Sequence, residues 1–247
     1  MKPKDFAIRI STFVVAVLIA LTPVMATQVS AEDFTIIVLP DTQKYSAGYP
    51  EIYIDQTEWI VGNKDALNIV YVAHEGDIVD TASSVTQWDN ADVAMSRLED
   101  PVTTGLTEGI PYGVVPGNHD EGSYYNRYFG EDRFTGGTDL GTQMLPGIDR
   151  SYYGDGYPSG QNDSNYTLFS ASGMDFIVIN LDYTNPAAGL LDWADQLLKD
   201  NGDRRAIVVT HYILNTNGTF GSWGQQVYDA LKGNPNLFLD IQKSMRI

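Results

Sequence analysis

Cysteine is absent from the 247 residues, histidine occurs three times, and Lys plus Arg number 15 against 32 Asp plus Glu. Without cysteine no disulfide forms and no thiolate serves as nucleophile or metal ligand, which excludes zinc fingers and cysteine hydrolases. The formal charge of −17 repels polyanions at long range and argues against broad binding to the backbone of DNA or RNA. It does not exclude work on phosphate esters, because bound metal ions can reverse the sign of the field locally. Hydrophobic residues make up 43% of the chain, enough for a sizeable core and against wholesale disorder.

Long apolar runs are also scarce. The longest, Phe13 to Leu21, has nine residues and is short for a membrane span. It follows a basic segment with Lys2, Lys4 and Arg9 and precedes a small-residue cleavage site at Val29-Ser30-Ala31. This pattern predicts a signal peptide over residues 1–31 and a secreted or periplasmic product with no stable membrane span after cleavage. An uncleaved anchor is the competing reading. Removing residues 1–31 takes away three basic groups and one acid, leaving 12 basic and 31 acidic residues and a charge of −19. No repeat, low-complexity tract or linker divides the remainder, so residues 32–247 are expected to form one domain.

Apolar runs at 34–39, 68–77, 110–116 and 205–210, with another starting at Leu237, read as buried strands. Residues 165–170 and 174–182 read as a hairpin turning at Ser172-Gly173. Helical spacing covers 52–63 (through Ile52, Ile54, Trp59 and Ile60), 85–98 with Ser83 or Ser84 as N-cap, 186–199 and 223–231. The stretch 131–161, rich in Gly, Asp and Tyr, has no period and is expected to form surface loops. Strands alternating with helices predict an α/β class with much parallel pairing.

Unusual residues fall at the strand ends. Asp41, Asp77, Asn118 and His211 each follow an apolar strand, and in α/β sheets the carboxyl ends of strands converge on one crevice. Each has an ordinary reading alone: a turn former for Asp41, an N-cap and helix acid for Asp77 and Asp80, a polar turn for Gly117-Asn118-His119-Asp120, a satisfied histidine for His211. Together and in this order they point to a metal site.

The blocks Gly76-Asp77-Ile78-Val79-Asp80 and Gly117-Asn118-His119-Asp120, with the strand-terminal Thr210-His211, resemble the signature blocks of the calcineurin-like metallophosphoesterases. The resemblance runs from about Phe34 to Leu239. It implies a sandwich of two mixed β-sheets flanked by helices. It also implies a dinuclear metal centre acting on phosphomonoesters or phosphodiesters. Carried over, Asp41 and Gln43 hold the first ion, Asp77 bridges, and Asn118 and His211 hold the second. His119 becomes the general acid or phosphate contact, and Asp80 orients its ring. Gln43 departs from the pattern, since the family commonly has Asp-x-His where this chain has Asp41-Thr42-Gln43. Its amide oxygen is a neutral, weaker donor. Oxygen and nitrogen donors without sulfur suit two divalent ions among Mn, Fe, Zn and Co. The expected substrate is a small phosphate ester.

The family closes its site with a GHxH block after another strand. Here the text after Leu239 is Asp240-Ile241-Gln242-Lys243-Ser244-Met245-Arg246-Ile247. With histidine only at 74, 119 and 211, the expectation is a domain cut short or frame-shifted before that block, weak in activity or degenerate. A calcium-binding reading ranks last, since no Asp-rich twelve-residue loop of the EF-hand kind is present. His74 is expected to be packed rather than ligating, on the face opposite Asp77 if the strand reaches that far. Tyr124, Tyr125, Tyr128 and Phe129 are expected in the interior.

Overall fold

The computed structural model describes residues 33–137 and 147–242. The expected signal segment and residues 243–247 lie outside them. Among the described residues no helix is long and apolar enough to cross a membrane.

The chain enters on strand β1 (Thr35–Leu39), followed by helices α1 (Gln43–Gly48) and α2 (Pro50–Asn63), strand β2 (Ile69–His74), and helices α3 (Val85–Glu99) and α4 (Pro101–Thr104). Strand β3 (Tyr112–Val114) leads to helices α5 (Tyr124–Phe129) and α6 (Asp132–Thr135). Strands β4 (Tyr153–Tyr157), β5 (Ser164–Ala171) and β6 (Met174–Leu181) follow, then α7 (Leu190–Asp200), β7 (Arg205–Thr210), α8 (Ser222–Leu231) and β8 (Leu237–Gln242). One sheet has the order β1-β2-β3 and is parallel; the other, β4-β5-β6-β7-β8, is antiparallel to β6 and parallel beyond it.

The two sheets stack with helices outside, and strand alternation shows how. Successive side chains point to opposite faces. In β6, Ile177, Ile179 and Leu181 pack against Leu190, Ala194 and Leu198 of α7, while Phe176 and Val178 face the first sheet. In β7, Ala206 and Val208 turn to the helices; Ile207 and Val209 meet Tyr71 and Ala73 of β2 between the sheets. The third core lies under α2, α3 and α5, around Tyr53, Ile60, Trp88, Met95 and Phe129. The central strands β2, β6 and β7 are covered on both faces, which explains why they read as unbroken apolar runs. At the β5–β6 turn, Ser172 and Gly173 have φ of +51° and +73°, the mirror-image turn that matches strand twist.

Several expectations need correction. Helix α2 buries Tyr53, Thr57 and Ile60, whereas Ile52 and Trp59 face solvent; positions 53, 57 and 60 make the one-sided stripe. Strand β3 spans only three residues. Helix α7 starts at Leu190 because Gly189, at φ +82°, breaks the chain before it. The stretch 131–161 is not simply surface loop. It contains α6 and β4, and it buries Arg133, Phe134, Arg150 and Tyr152.

Those buried arginines form a charge network beneath α3. Arg133 donates to Glu99 through Nε (2.7 Å) and Nη2 (3.1 Å), to Asp92 through Nη1 (2.6 Å), and to the Tyr128 carbonyl (2.9 Å) and Ser96 hydroxyl (3.3 Å). Arg150 lies 3.3 Å from Glu99, whose carboxylate also accepts the Tyr112 hydroxyl at 2.7 Å. Burial pushes the Glu99 pKa up, but Arg133 and Arg150 more than offset this and hold it below the usual range. Every N–H of the Arg133 guanidinium has a partner, the condition under which a buried charge is tolerated.

Candidate metal centre

Strands β1, β2, β3 and β7 deliver their C-terminal residues to one end of the sandwich. Asp41, Asp77 and His211 each offer a ligand atom there, all within 4.8 Å of one another. Asp41 is half-buried, and Asp77 and His211 are buried.

The chain between β2 and α3 is built for close approach. Gly76 has φ +89°, and Asp77 has φ +50°, a left-handed conformation that Asp and Asn tolerate better than other side chains. Gly117 packs against this turn so tightly that a Cβ on it would lie 2.3 Å from the Asp77 nitrogen and 2.3 Å from its Oδ1. The two signature loops thus meet backbone to backbone. Asp120 ties them: its buried carboxylate accepts the N–H groups of Ile78, Val79 and Gly117 at 2.8–3.0 Å. The Asp120 pKa is raised to about 7: burial and then Asp77 push it up, and the three N–H groups offset this only in part.

Around Asp77 the donors are ordered. His211 Nε2 lies 3.3 Å from Asp77 Oδ2, and its Nδ1 faces the Glu75 carbonyl at 2.6 Å. A proton on Nδ1 donates to that carbonyl and leaves the Nε2 lone pair aimed at the cluster, the arrangement of a metal-ligating imidazole. Gln43 donates from Nε2 to Asp77 Oδ2 at 3.1 Å, while its Oε1 is buried with no hydrogen-bond partner. A buried amide oxygen without a partner is costly, and a cation would satisfy it. Crowded carboxylates, an imidazole lone pair and an amide oxygen suit hard to borderline divalent ions. The residues fit such a group.

His119 joins through its backbone N–H, which donates to Asp77 Oδ1 at 3.0 Å. Its ring Nδ1 contacts the carbonyl of Asp80 at 2.8 Å, while the Asp80 carboxylate is 3.7 Å away and pairs with Lys44 Nζ at 2.5 Å. The backbone of Asp80 therefore makes the close contact to the ring. Asn118 sits on the exposed side, its Oδ1 accepting the Tyr183 hydroxyl at 3.0 Å. No sequence motif marks Tyr183; its only signal is its place just after a buried strand. Burial, with Asp77 next, pushes its hydroxyl up to about 12, so it stays a neutral donor.

His74 is a packed histidine. Its Nδ1 accepts the Gly76 N–H at 3.1 Å and its Nε2 meets Thr42 Oγ1 at 3.0 Å. Burial, then His211, lowers its pKa to about 3 against the pull of Asp77, so it is neutral. Strand β2 ends at His74, and the turn at Gly76, not strand alternation, separates it from Asp77. Tyr125, Tyr128 and Phe129 lie in the core as expected, and Tyr124 packs against it.

Carboxylate, imidazole and amide donors thus gather at the strand ends of two stacked sheets as a candidate metal centre. The chain belongs to the calcineurin-like phosphoesterase family, whose model matches residues 34–239. A curated relative, the uncharacterized protein YvnB of Bacillus subtilis (strain 168), is 37% identical over 217 residues, covering 83% of this chain and 15% of its own length. The chain thus spans a small part of that relative. A crystal structure of a dimetal phosphatase from Danio rerio shares the fold at TM-score 0.50 and 14% identity, over 85% of this chain and 80% of that one. The structure of TT1561 from Thermus thermophilus aligns at TM-score 0.49 and 12% identity, over 84% and 80%.

Proposed function

We propose that this chain is an exported phosphoesterase that uses two divalent ions to hydrolyse small phosphomonoesters or phosphodiesters. The observation that carries the reading is the convergence of Asp41, Asp77 and His211 donor atoms within 4.8 Å. Asp41, Gln43 and Asp77 would hold one ion, and Asp77, Asn118 and His211 the other. Asp77 would be the shared ligand, because a carboxylate spreads one negative charge over two oxygens and an amide offers one neutral oxygen. When bound, the ions supply positive charge against the phosphoryl oxygens and acidify water near neutral pH.

The protein's own groups do the rest. The His119 ring, held at Nδ1 by the Asp80 carbonyl, presents Nε2 to donate a proton to the leaving oxygen. An imidazole titrates near 6.5 when unperturbed, which suits that transfer at neutral pH. The Asp80 carboxylate at 3.7 Å stabilises the imidazolium at a distance and shares its charge with Lys44. The −19 charge of residues 32–247 favours small esters over long polyanions. Export rests on the N-terminal pattern of basic segment, apolar run and Val29-Ser30-Ala31.

Metal analysis of the purified chain, with hydrolysis of p-nitrophenyl phosphate and its bis-ester in Mn²⁺, tests the reading. About two ions per chain with metal-dependent turnover are expected; a chain that binds no Mn²⁺, Fe²⁺, Zn²⁺ or Co²⁺ overturns it. A reporter fused after residue 31 and recovered only in the cytoplasm overturns export.

A further inference from the structure

We propose that Tyr183 is a positioning residue that holds Asn118 and His211 in register as a pair of ligands to one ion. The inference rests on the ligand set given above and assigns a role to a residue outside it.

The two ligands come from different sheets. Asn118 follows β3 of the three-stranded sheet, and His211 follows β7 of the five-stranded sheet. Nothing in the hydrogen-bond ladders of either sheet fixes one relative to the other. Tyr183 follows β6, the direct neighbour of β7, with Leu181 paired to Thr210. From there its ring stacks on His211, centroids 5.4 Å apart and planes at 25°. Its hydroxyl reaches across to donate to Asn118 Oδ1 at 3.0 Å. One side chain therefore contacts both.

Each contact removes a freedom that matters for ligation. The terminal torsion of asparagine is broad, so an exposed carboxamide samples many orientations. The Tyr183 hydroxyl engages one lone pair of Oδ1 and leaves the second for a cation. The Glu75 carbonyl already pins His211 at Nδ1; the stacked ring limits rotation about that pin. Tyr212, 5.8 Å from Tyr183 at 45°, adds a second ring contact to Tyr183. Contacts of this kind to a ligand change metal affinity by about 10–100-fold.

Two variants separate the parts of the role. Tyr183→Phe keeps the ring and deletes the hydroxyl; Tyr183→Leu deletes both. Calorimetric Mn²⁺ titration of the full chain, alongside His211→Ala and Asp41→Ala, is the readout, with the metal-free melting temperature as the folding control. The expected result is that Tyr183→Phe weakens about tenfold the ion that His211→Ala abolishes, and leaves unchanged the ion that Asp41→Ala abolishes. Tyr183→Leu should weaken the same ion further, towards 100-fold. Half-maximal Mn²⁺ for phosphoesterase turnover should rise with it, with kcat for Tyr183→Phe restored at saturating Mn²⁺. A purely structural tyrosine would shift the metal-free melting temperature and leave both affinities alone. That result, or wild-type affinity in Tyr183→Phe, overturns the proposal. If the wild-type chain itself binds no Mn²⁺, or His211→Ala binds it as wild type does, the ligand set fails and the proposal fails with it.

Discussion

Asp120 accepts the backbone N–H of Ile78 with both carboxylate oxygens, at 2.9 and 3.0 Å. The same carboxylate takes the N–H groups of Val79 and Gly117, so it joins two loops that carry the site. Asp120→Ala leaves three buried donors without a partner, each costing about 1–3 kcal/mol. A loss of roughly 3–5 kcal/mol is expected, within the range of the most damaging single substitutions. Urea denaturation of the two proteins measures it, and a loss under about 1 kcal/mol would show that other groups tie the loops.

Gly117→Ala should strike the site more than the fold. The added methyl would meet the Asp77 backbone nitrogen and Oδ1 at 2.3 Å each, so Asp77 must move. Mn²⁺ affinity measured by calorimetry should fall by about tenfold or more, as for displaced ligand supports. Unchanged affinity would mean the loop yields elsewhere.

His119→Ala should keep its metal and lose rate. The proton donor to the leaving group is worth about 10²–10⁴-fold. The loss should be large for alkyl phosphates and small for p-nitrophenyl phosphate, whose leaving group needs no proton. Equal losses on both substrates would assign His119 to phosphate binding rather than acid catalysis.

The buried network predicts acid sensitivity. The Glu99 pKa is lowered in the folded protein, so its stabilising contribution is present above its unfolded pKa of about 4.3 and is lost as pH falls through the folded value. Melting temperatures from pH 7 down to pH 2.5 should drop more steeply below about 4.3 in the wild type than in Glu99→Gln. Arg133→Met, which removes the guanidinium that Glu99 and Asp92 both accept from, should cost about 3–5 kcal/mol at neutral pH. Parallel pH profiles for wild type and Glu99→Gln would contradict the depressed carboxyl.

Gln43→His tests the departure at the first strand end. An imidazole nitrogen is a stronger donor to a borderline ion than an amide oxygen. Affinity for Zn²⁺ should rise in calorimetric titration, while Gln43→Ala should lower it by removing the buried Oε1. The opposite order would place Gln43 as a support of Asp77 through its Nε2 contact alone.

The parts legible in sequence share a cause. Strands β2, β3, β6 and β7 are buried on both faces and β1 is largely half-buried, so burial writes itself as continuous apolar text, and the polar residue ending each run stands out against it. Asp41, Asp77, Asn118 and His211 were visible for that reason. Arg133 and Glu99 were not, because a charged pair that is buried looks the same in sequence as one in water; only tertiary enclosure by Phe129, Tyr112 and α3 distinguishes them. Tyr183 was hidden because its partners lie 65 residues before it and 28 after it, on strands whose juxtaposition no local pattern encodes.

Asp77 sits at φ +50°, and this narrows what the position can become. Aspartate, asparagine and glycine accept such a backbone readily; of these, only aspartate carries two anionic oxygens. A change to glutamate preserves charge and chemistry yet meets a backbone that resists it, and a change to asparagine preserves the backbone and loses the charge. Backbone shape and chemical duty therefore select the same amino acid independently. A library at this single codon should return wild type alone when sorted for metal binding, and two further residues when sorted only for folding.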